Sequence, residues 1–143
     1  MSTIAHLPAT ASRPLSVRRV NAMRAGYLLM GLGLAVRKWP LLPDAHALPL
    51  FEGVTWALLT AMSLLALLGL RHPVALLPVL LFETTWKVLW LTTVALPRFL
   101  DGGLDAATSE VAVNCSLVVV IIAVTPWDHV WRRYVRAAGD PWR

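Results

Sequence analysis

The chain has 143 residues, is 57% hydrophobic and only 15% charged, and carries a formal net charge of +5. A soluble domain carries roughly 25% charged residues, and the mean hydropathy here is +0.64, so the composition excludes an ordinary soluble fold and points to the membrane class. The cations flank apolar runs instead of forming a basic surface interleaved with aromatics, which excludes nucleic acid as a partner. The positive charge reads as topology signal and lipid-headgroup contact.

Residues 1–19 form a polar tail with Pro8, Pro14, Arg13, Arg18 and Arg19, followed by the apolar run 26–36. That outline resembles a signal peptide, but Arg37, Lys38 and Trp39 stand where a small-residue cleavage site would have to be, so a retained anchor is expected. About 20 apolar residues are needed to cross the hydrocarbon core. Four windows qualify: 20–39, 48–70, 74–96 and 106–127. The first contains Arg24 and several glycines, so its insertion leans on its neighbours. Ala22 with Gly26, and Gly31 with Ala35, are small residues four apart, a spacing that permits close helix approach; high Gly and Ala content is also general in membrane helices.

In the second window Glu52, Trp56, Leu59 and Ser63 share a helical face. Only Arg71 and His72 separate it from the third, a turn so tight that the two must be antiparallel neighbours. Pro78 lacks a donor for the carbonyl of Val74 and predicts a kink or loosening near the start of the third helix. The fourth window holds Cys115, the single cysteine, which excludes an intrachain disulfide and reads as a small buried hydrophobe. After Pro126, Trp127, Trp131 and Tyr134 recur at helical spacing opposite Arg132, Arg133 and Arg136. This is the pattern of a short helix in the headgroup layer, with a plain aromatic belt as the alternative.

The expected fold is therefore all-α: an integral membrane up-down four-helix bundle over 20–127, with a cytoplasmic tail at 128–143 that includes the short interfacial helix. Orientation follows from counting cations. Arg13, Arg18, Arg19, Arg24, Arg71, Arg132, Arg133, Arg136 and Arg143 fall on one side, and Arg37, Lys38 and Arg98 on the other. Under the positive-inside rule both termini are expected in the cytoplasm, in a multi-pass protein of the inner membrane.

The most informative residues are Glu83 and Lys87, an acid and a base inside the otherwise apolar third window. Their spacing of four places them on one helical face in the favourable order for a pair, and ionisable groups at membrane depth face a bundle interior or a wet cavity. With a rise of ~1.5 Å per residue, Asn114 reaches roughly the depth of Lys87, while Glu110 and Glu52 lie nearer the outer ends of their helices. A cluster of Glu83, Lys87, Glu52, Glu110 and Asn114 is expected, flanked by Trp86 and Trp90 and closed from the first helix by Arg37 or Lys38. Such a cluster either neutralises itself and fixes helix register or forms a pocket for a polar or quinone-like head, or a proton relay. His6, His46, His72 and His129 are scattered outside the spans and supply no facing pair of haem ligands. There is no GxSxG, HExxH, GxxxxGK[ST] or GxGxxG pattern, so hydrolase, kinase and nucleotide-binding readings have no residue basis.

The run Gly31-Leu-Gly-Leu-Ala-Val-Arg-Lys38, then Glu52-Gly53, then Leu68-Gly69-Leu70-Arg71, resembles the DoxX/DoxD-type family of small four-helix bacterial membrane proteins. That family shows a Gly followed by Lys leaving helix one, a Glu starting helix two, and a Gly with a nearby Arg before helix three. The resemblance covers roughly residues 24–82. It implies a quinone-linked or redox-associated membrane subunit acting with soluble or membrane partners. The residues themselves support three readings: a non-enzymatic accessory subunit of a membrane complex, a quinone-interacting redox subunit, or a small proton-coupled transporter. The partners expected are the bilayer and other membrane subunits, or further copies of the chain; no resident cofactor is expected beyond a quinone.

Overall fold

The computed structural model describes residues 14–139, and every regular element among them is helical. Helix α1 (Val17–Lys38) starts where the Ser16 hydroxyl accepts the Arg19 N–H, leaving one of the unpaired first-turn donors satisfied. Two short 3-10 turns, Trp39–Leu41 and Ala45–Ala47, lead to α2 (Leu50–Gly69). Then come α3 (Leu77–Asp101) and α4 (Ala106–Val124). A final helical turn, α5 (Trp127–Val130), runs on into a wider π turn at Trp131–Val135.

Among the described residues, length and apolarity single out three helices able to cross a membrane, α2, α3 and α4, not the four expected. The remaining one, α1, is a full-length helix, but Arg18, Arg19 and Arg24 load one end and Arg37 and Lys38 the other. The boundaries also move. Pro78 stands in the first turn of α3, where a missing amide donor costs nothing, so the expected kink becomes a helix start. At the far end α3 continues through Pro97 to Asp101 because a π segment, Leu91–Ala95, precedes the proline. There the Leu96 N–H reaches back to the Leu91 carbonyl. The Thr92 and Thr93 hydroxyls donate to carbonyls of the preceding turn, at 2.7–2.8 Å for their shortest contacts. These hydroxyls add side-chain hydrogen bonds to the backbone beside the widened turn.

The core joins Met23, Tyr27 and Met30 of α1, Ala66 of α2, Leu77 and Leu80 of α3, and Ile121 of α4. Helices α1 and α2 run antiparallel along a continuous seam. At one end Arg24 Nε donates to the Leu70 carbonyl (3.1 Å), and Tyr27 donates its hydroxyl to the Pro73 carbonyl (2.9 Å). At the other, Trp56 Nε1 donates to the Lys38 carbonyl (2.8 Å) and Trp39 Nε1 to the Ser63 hydroxyl (2.9 Å). Small residues bring the backbones together: a Cβ on Gly69 would stand 2.5 Å from the buried Tyr27 ring, and one on Gly31 would meet Leu67 at 3.0 Å.

Helix α4 is broken near Leu117, where the chain tightens for one turn. Its second half, Val118–Val124, packs on α1 and α3. Its first half follows the π segment of α3 and leaves α1. Past Val124 the extended Thr125 and Pro126 end the helix, and α5 turns back, with Val130 against the core and Asp128 paired to both Arg19 and Arg132. Trp127, Trp131 and Tyr134 remain exposed.

Candidate functional site

Leu77, Leu80, Glu83, Thr84 and Lys87 form the buried stripe of α3, at the three- and four-residue steps that keep one face of a helix inward. The same periodicity that buries leucines buries an acid and a base. Glu83 is 1% exposed and Lys87 7% exposed. Lys87 Nζ lies 2.8 Å from Glu83 Oε1, and Trp86 Nε1 donates to Glu83 Oε2 at 2.8 Å. Both carboxylate oxygens are therefore occupied. The ammonium, 5.7 Å from the centre of the Trp86 ring, has three donors and meets only Glu83 among the described acidic residues. Its other donors remain for a further acceptor.

The pair faces a cavity of about 570 Å³ between α1, α3 and α4. Most of its wall is apolar, from Leu29, Met30 and Leu34 on α1 and Val113, Leu117 and Ile121 on α4. Its polar lining, besides the pair, comprises Ser109, Asn114, Arg37 and Glu110. Arg37 Nη2 bonds Glu110 Oε1 at 2.9 Å across the gap between α1 and α4, with both side chains more than half exposed. The Ser109 and Asn114 side chains make no hydrogen bond among the described residues, so their polar groups are free in the lining of the cavity that also holds Lys87.

The start of α4, which positions Ser109 and Glu110, is fixed by Asp105. Its carboxylate accepts the Thr108 N–H at 2.7 Å and the Thr108 hydroxyl at 2.9 Å. The Arg98 guanidinium at the end of α3 donates to the same hydroxyl at 3.2 Å. Those two Thr108 hydrogen bonds, backbone first, hold the Asp105 carboxyl below its ordinary range, and the Arg98 charge adds to them against the effect of desolvation.

Of the residues expected to form the site, Glu83, Lys87 and Trp86 are in direct contact, and Glu110 and Asn114 line the same cavity. Arg37, not Lys38, closes it from α1; Lys38 contributes only its backbone carbonyl, to Trp56. Glu52 is exposed in the first turn of α2 and lies outside the cavity, as does the half-buried Trp90. The reason for the Glu52 difference is rotational. The Trp56 and Trp39 indoles and Ser63 fill the seam between α1 and α2, so α2 contributes no wall to the cavity. Ser109 and Gly33 were not expected there. Ser109 carried a weak signal, one residue before Glu110; Gly33 carried only its place in the Gly-Leu-Gly run.

Comparison with family models, with curated proteins and with solved structures finds no match for this chain. The cavity geometry is therefore the ground for assigning a role.

Proposed function

We propose that the protein is a four-helix integral membrane protein of the inner membrane that holds an amphiphile with a neutral, hydrogen-bond-accepting head in the cavity between α1, α3 and α4. In this reading α1 is the fourth span. Its 22 residues reach ~33 Å at 1.5 Å per residue, and its cations cluster at the ends, where they extend into headgroups. The cation imbalance supports cytoplasmic termini. The exposed Trp127, Trp131 and Tyr134 beside Arg132 and Arg133 suit a segment lying along the inner surface.

The observation that carries the functional reading is the buried Glu83–Lys87 pair, satisfied on its acid side and unsaturated on its base side, at the wall of an otherwise apolar cavity. Each lining charge has a counter-charge, Lys87 with Glu83 and Arg37 with Glu110, so the cavity favours a neutral guest over an ion. What remains unmet is a need for acceptors at Lys87 and Asn114. A quinone ring supplies carbonyl oxygens and an apolar body together, and the resemblance to DoxX/DoxD-type proteins points the same way. The bundle carries no large extramembrane domain among the described residues. In this reading it serves as a non-enzymatic accessory subunit, presenting the bound amphiphile to a partner in a membrane complex.

The test is binding of decylubiquinone to the purified full chain in mild detergent, read as a ligand-dependent rise in melting temperature. Wild type should show a saturable rise. The variant Glu83→Gln with Lys87→Met, which removes both charges, should fold and lose it. No saturable rise in wild type, or an equal rise in the double variant, overturns the reading. Recovery of a stoichiometric membrane partner in the same detergent supports the accessory role, and a lone monomer counts against it.

A further inference from the structure

The cavity is open on one side, between α1 and α4, and the rim of that opening is apolar. On α1 the residues Leu29, Gly33 and Arg37 succeed one another at four-residue intervals and all line the cavity. On α4, Val113 and Leu117 stand opposite in the same lining. These side chains are also outward-facing: Leu29 is 42% exposed, Val113 68% and Leu117 49%. A Cβ added to Gly33 would meet nothing within 4 Å. The two helices converge beyond this slot, where Val118–Val124 packs on α1, and at its opposite end the Arg37–Glu110 pair bridges them.

We infer that the slot between Leu29, Gly33, Val113 and Leu117 is a lateral portal, through which the tail of a bound lipid leaves the cavity directly into the bilayer. The inference rests on the proposed amphiphile site and specifies its ligand: a single-tailed membrane lipid with an uncharged head, drawn from the hydrocarbon phase. Three observations converge on it. The rim is apolar and exposed on a face that, within a bilayer, touches only acyl chains, so a tail crossing it exchanges one apolar neighbour for another. The polar groups lie inside at Glu83, Lys87 and Asn114, placing the head inward and the tail outward. The end of the slot carrying polar residues is crossed by the Arg37–Glu110 pair, which separates the lipid-side opening from the aqueous end. Gly33 is the aperture residue. It keeps the portal wide without being required for helix packing, in contrast to Gly26, where a Cβ would stand 2.7 Å from Val124.

The experiment measures two probes, decylubiquinone and the tail-less duroquinone, on the full chain by ligand-dependent melting. Three proteins are compared: wild type, Gly33→Phe and, from the opposite rim, Val113→Trp. Both substitutions point into open or exposed space, so the ligand-free melting temperature should stay near that of wild type. The portal predicts that each variant binds decylubiquinone about tenfold or more weakly than wild type, because the tail path is filled, while duroquinone binding stays within about twofold. Equal decylubiquinone affinity in wild type and both variants overturns the portal but leaves the site standing. Loss of duroquinone in parallel also overturns it, since the new side chain then fills the head site. If wild type binds neither probe, it is the amphiphile reading itself that fails.

Discussion

Helix α1 packs on both α2 and α4, and it treats the two differently. Against α2 it forms a closed seam. Gly31 lets Leu67 approach, Gly69 receives the Tyr27 ring, and tryptophan hydrogen bonds fasten the end near Lys38. Against the first half of α4 it leaves a gap lined by leucines, a glycine and a valine, with a charged pair at one end. Apolar composition does not separate the two. What separates them is whether each small residue is matched by a large one across the interface: Gly69 has Tyr27, whereas Gly33 has open space. A helix face is sealed by complementarity of size, and where that complementarity is withheld next to buried polar groups, a site is left.

The largest effect should come from the polar wall of the gap. Removing Lys87 alone leaves the Glu83 carboxylate buried without its counter-ion, at a cost of about 3 to 5 kcal/mol. Lys87→Met should therefore melt far below Glu83→Gln with Lys87→Met, which removes both charges together. Detergent melting of the two single variants and the double variant measures the coupling. Strict additivity would mean that the 2.8 Å contact contributes nothing and that the cavity lacks its polar centre. A pair that serves only to hold helix register predicts a double variant that folds and retains ligand; the binding role predicts one that folds and does not.

The glycines give the most direct comparison of seam and gap, at a smaller magnitude. Gly69→Ala drives a methyl group to 2.5 Å from the fully buried Tyr27 ring, which has no free space into which to swing. A loss of about 1 to 3 kcal/mol is expected from such overpacking. Gly33→Ala makes the same chemical change in open space. In a helix interior it should stabilise the fold by roughly 0.5 to 1 kcal/mol through reduced backbone entropy of the unfolded chain. Melting the two variants side by side checks this. Equal effects would erase the distinction between closed seam and open gap.

How much of this was readable in advance depends on the range of the interaction involved. The Glu83–Lys87 contact follows from a local spacing, and so does the inward stripe that buries it. Pro78 was misread because one turn decides whether a proline kinks a helix or begins it, and the Val74 carbonyl carries no mark of which applies. The third window was ended at residue 96, just before Pro97. The widened turn at Leu91–Ala95 that lets α3 pass it has no composition of its own beyond two threonines able to bond backwards. Glu52 was placed inward because it shares a face with Trp56 and Ser63, but that face is turned toward α1 by hydrogen bonds to Lys38 and Trp39. The pocket was anticipated from its polar residues, but the tightening near Leu117 that parts the first half of α4 from α1 was not, since no proline or glycine marks it.

The smallest effect expected lies at the other end of the molecule, where α5 is tied to the start of α1 by Asp128 and Arg19. Desolvation pushes the Asp128 carboxyl up, but the Arg19 hydrogen bond, with the charges of Arg19 and Arg132, outweighs it and holds the group below its ordinary range. A carboxyl depressed in the folded state contributes stability that is fully present above its unfolded pKa and lost as pH falls through the folded one. The difference in melting temperature between wild type and Asp128→Asn should therefore be constant above roughly pH 4, the ordinary aspartate value. Below that it should shrink toward zero as the wild-type carboxylate takes up a proton. The effect is small because the partners are exposed and screened, so raising the salt concentration at neutral pH should reduce the same difference. A difference that grows on acidification would mean that the Asp128 carboxyl is raised, and that the tie between α5 and α1 depends on something other than this ion pair.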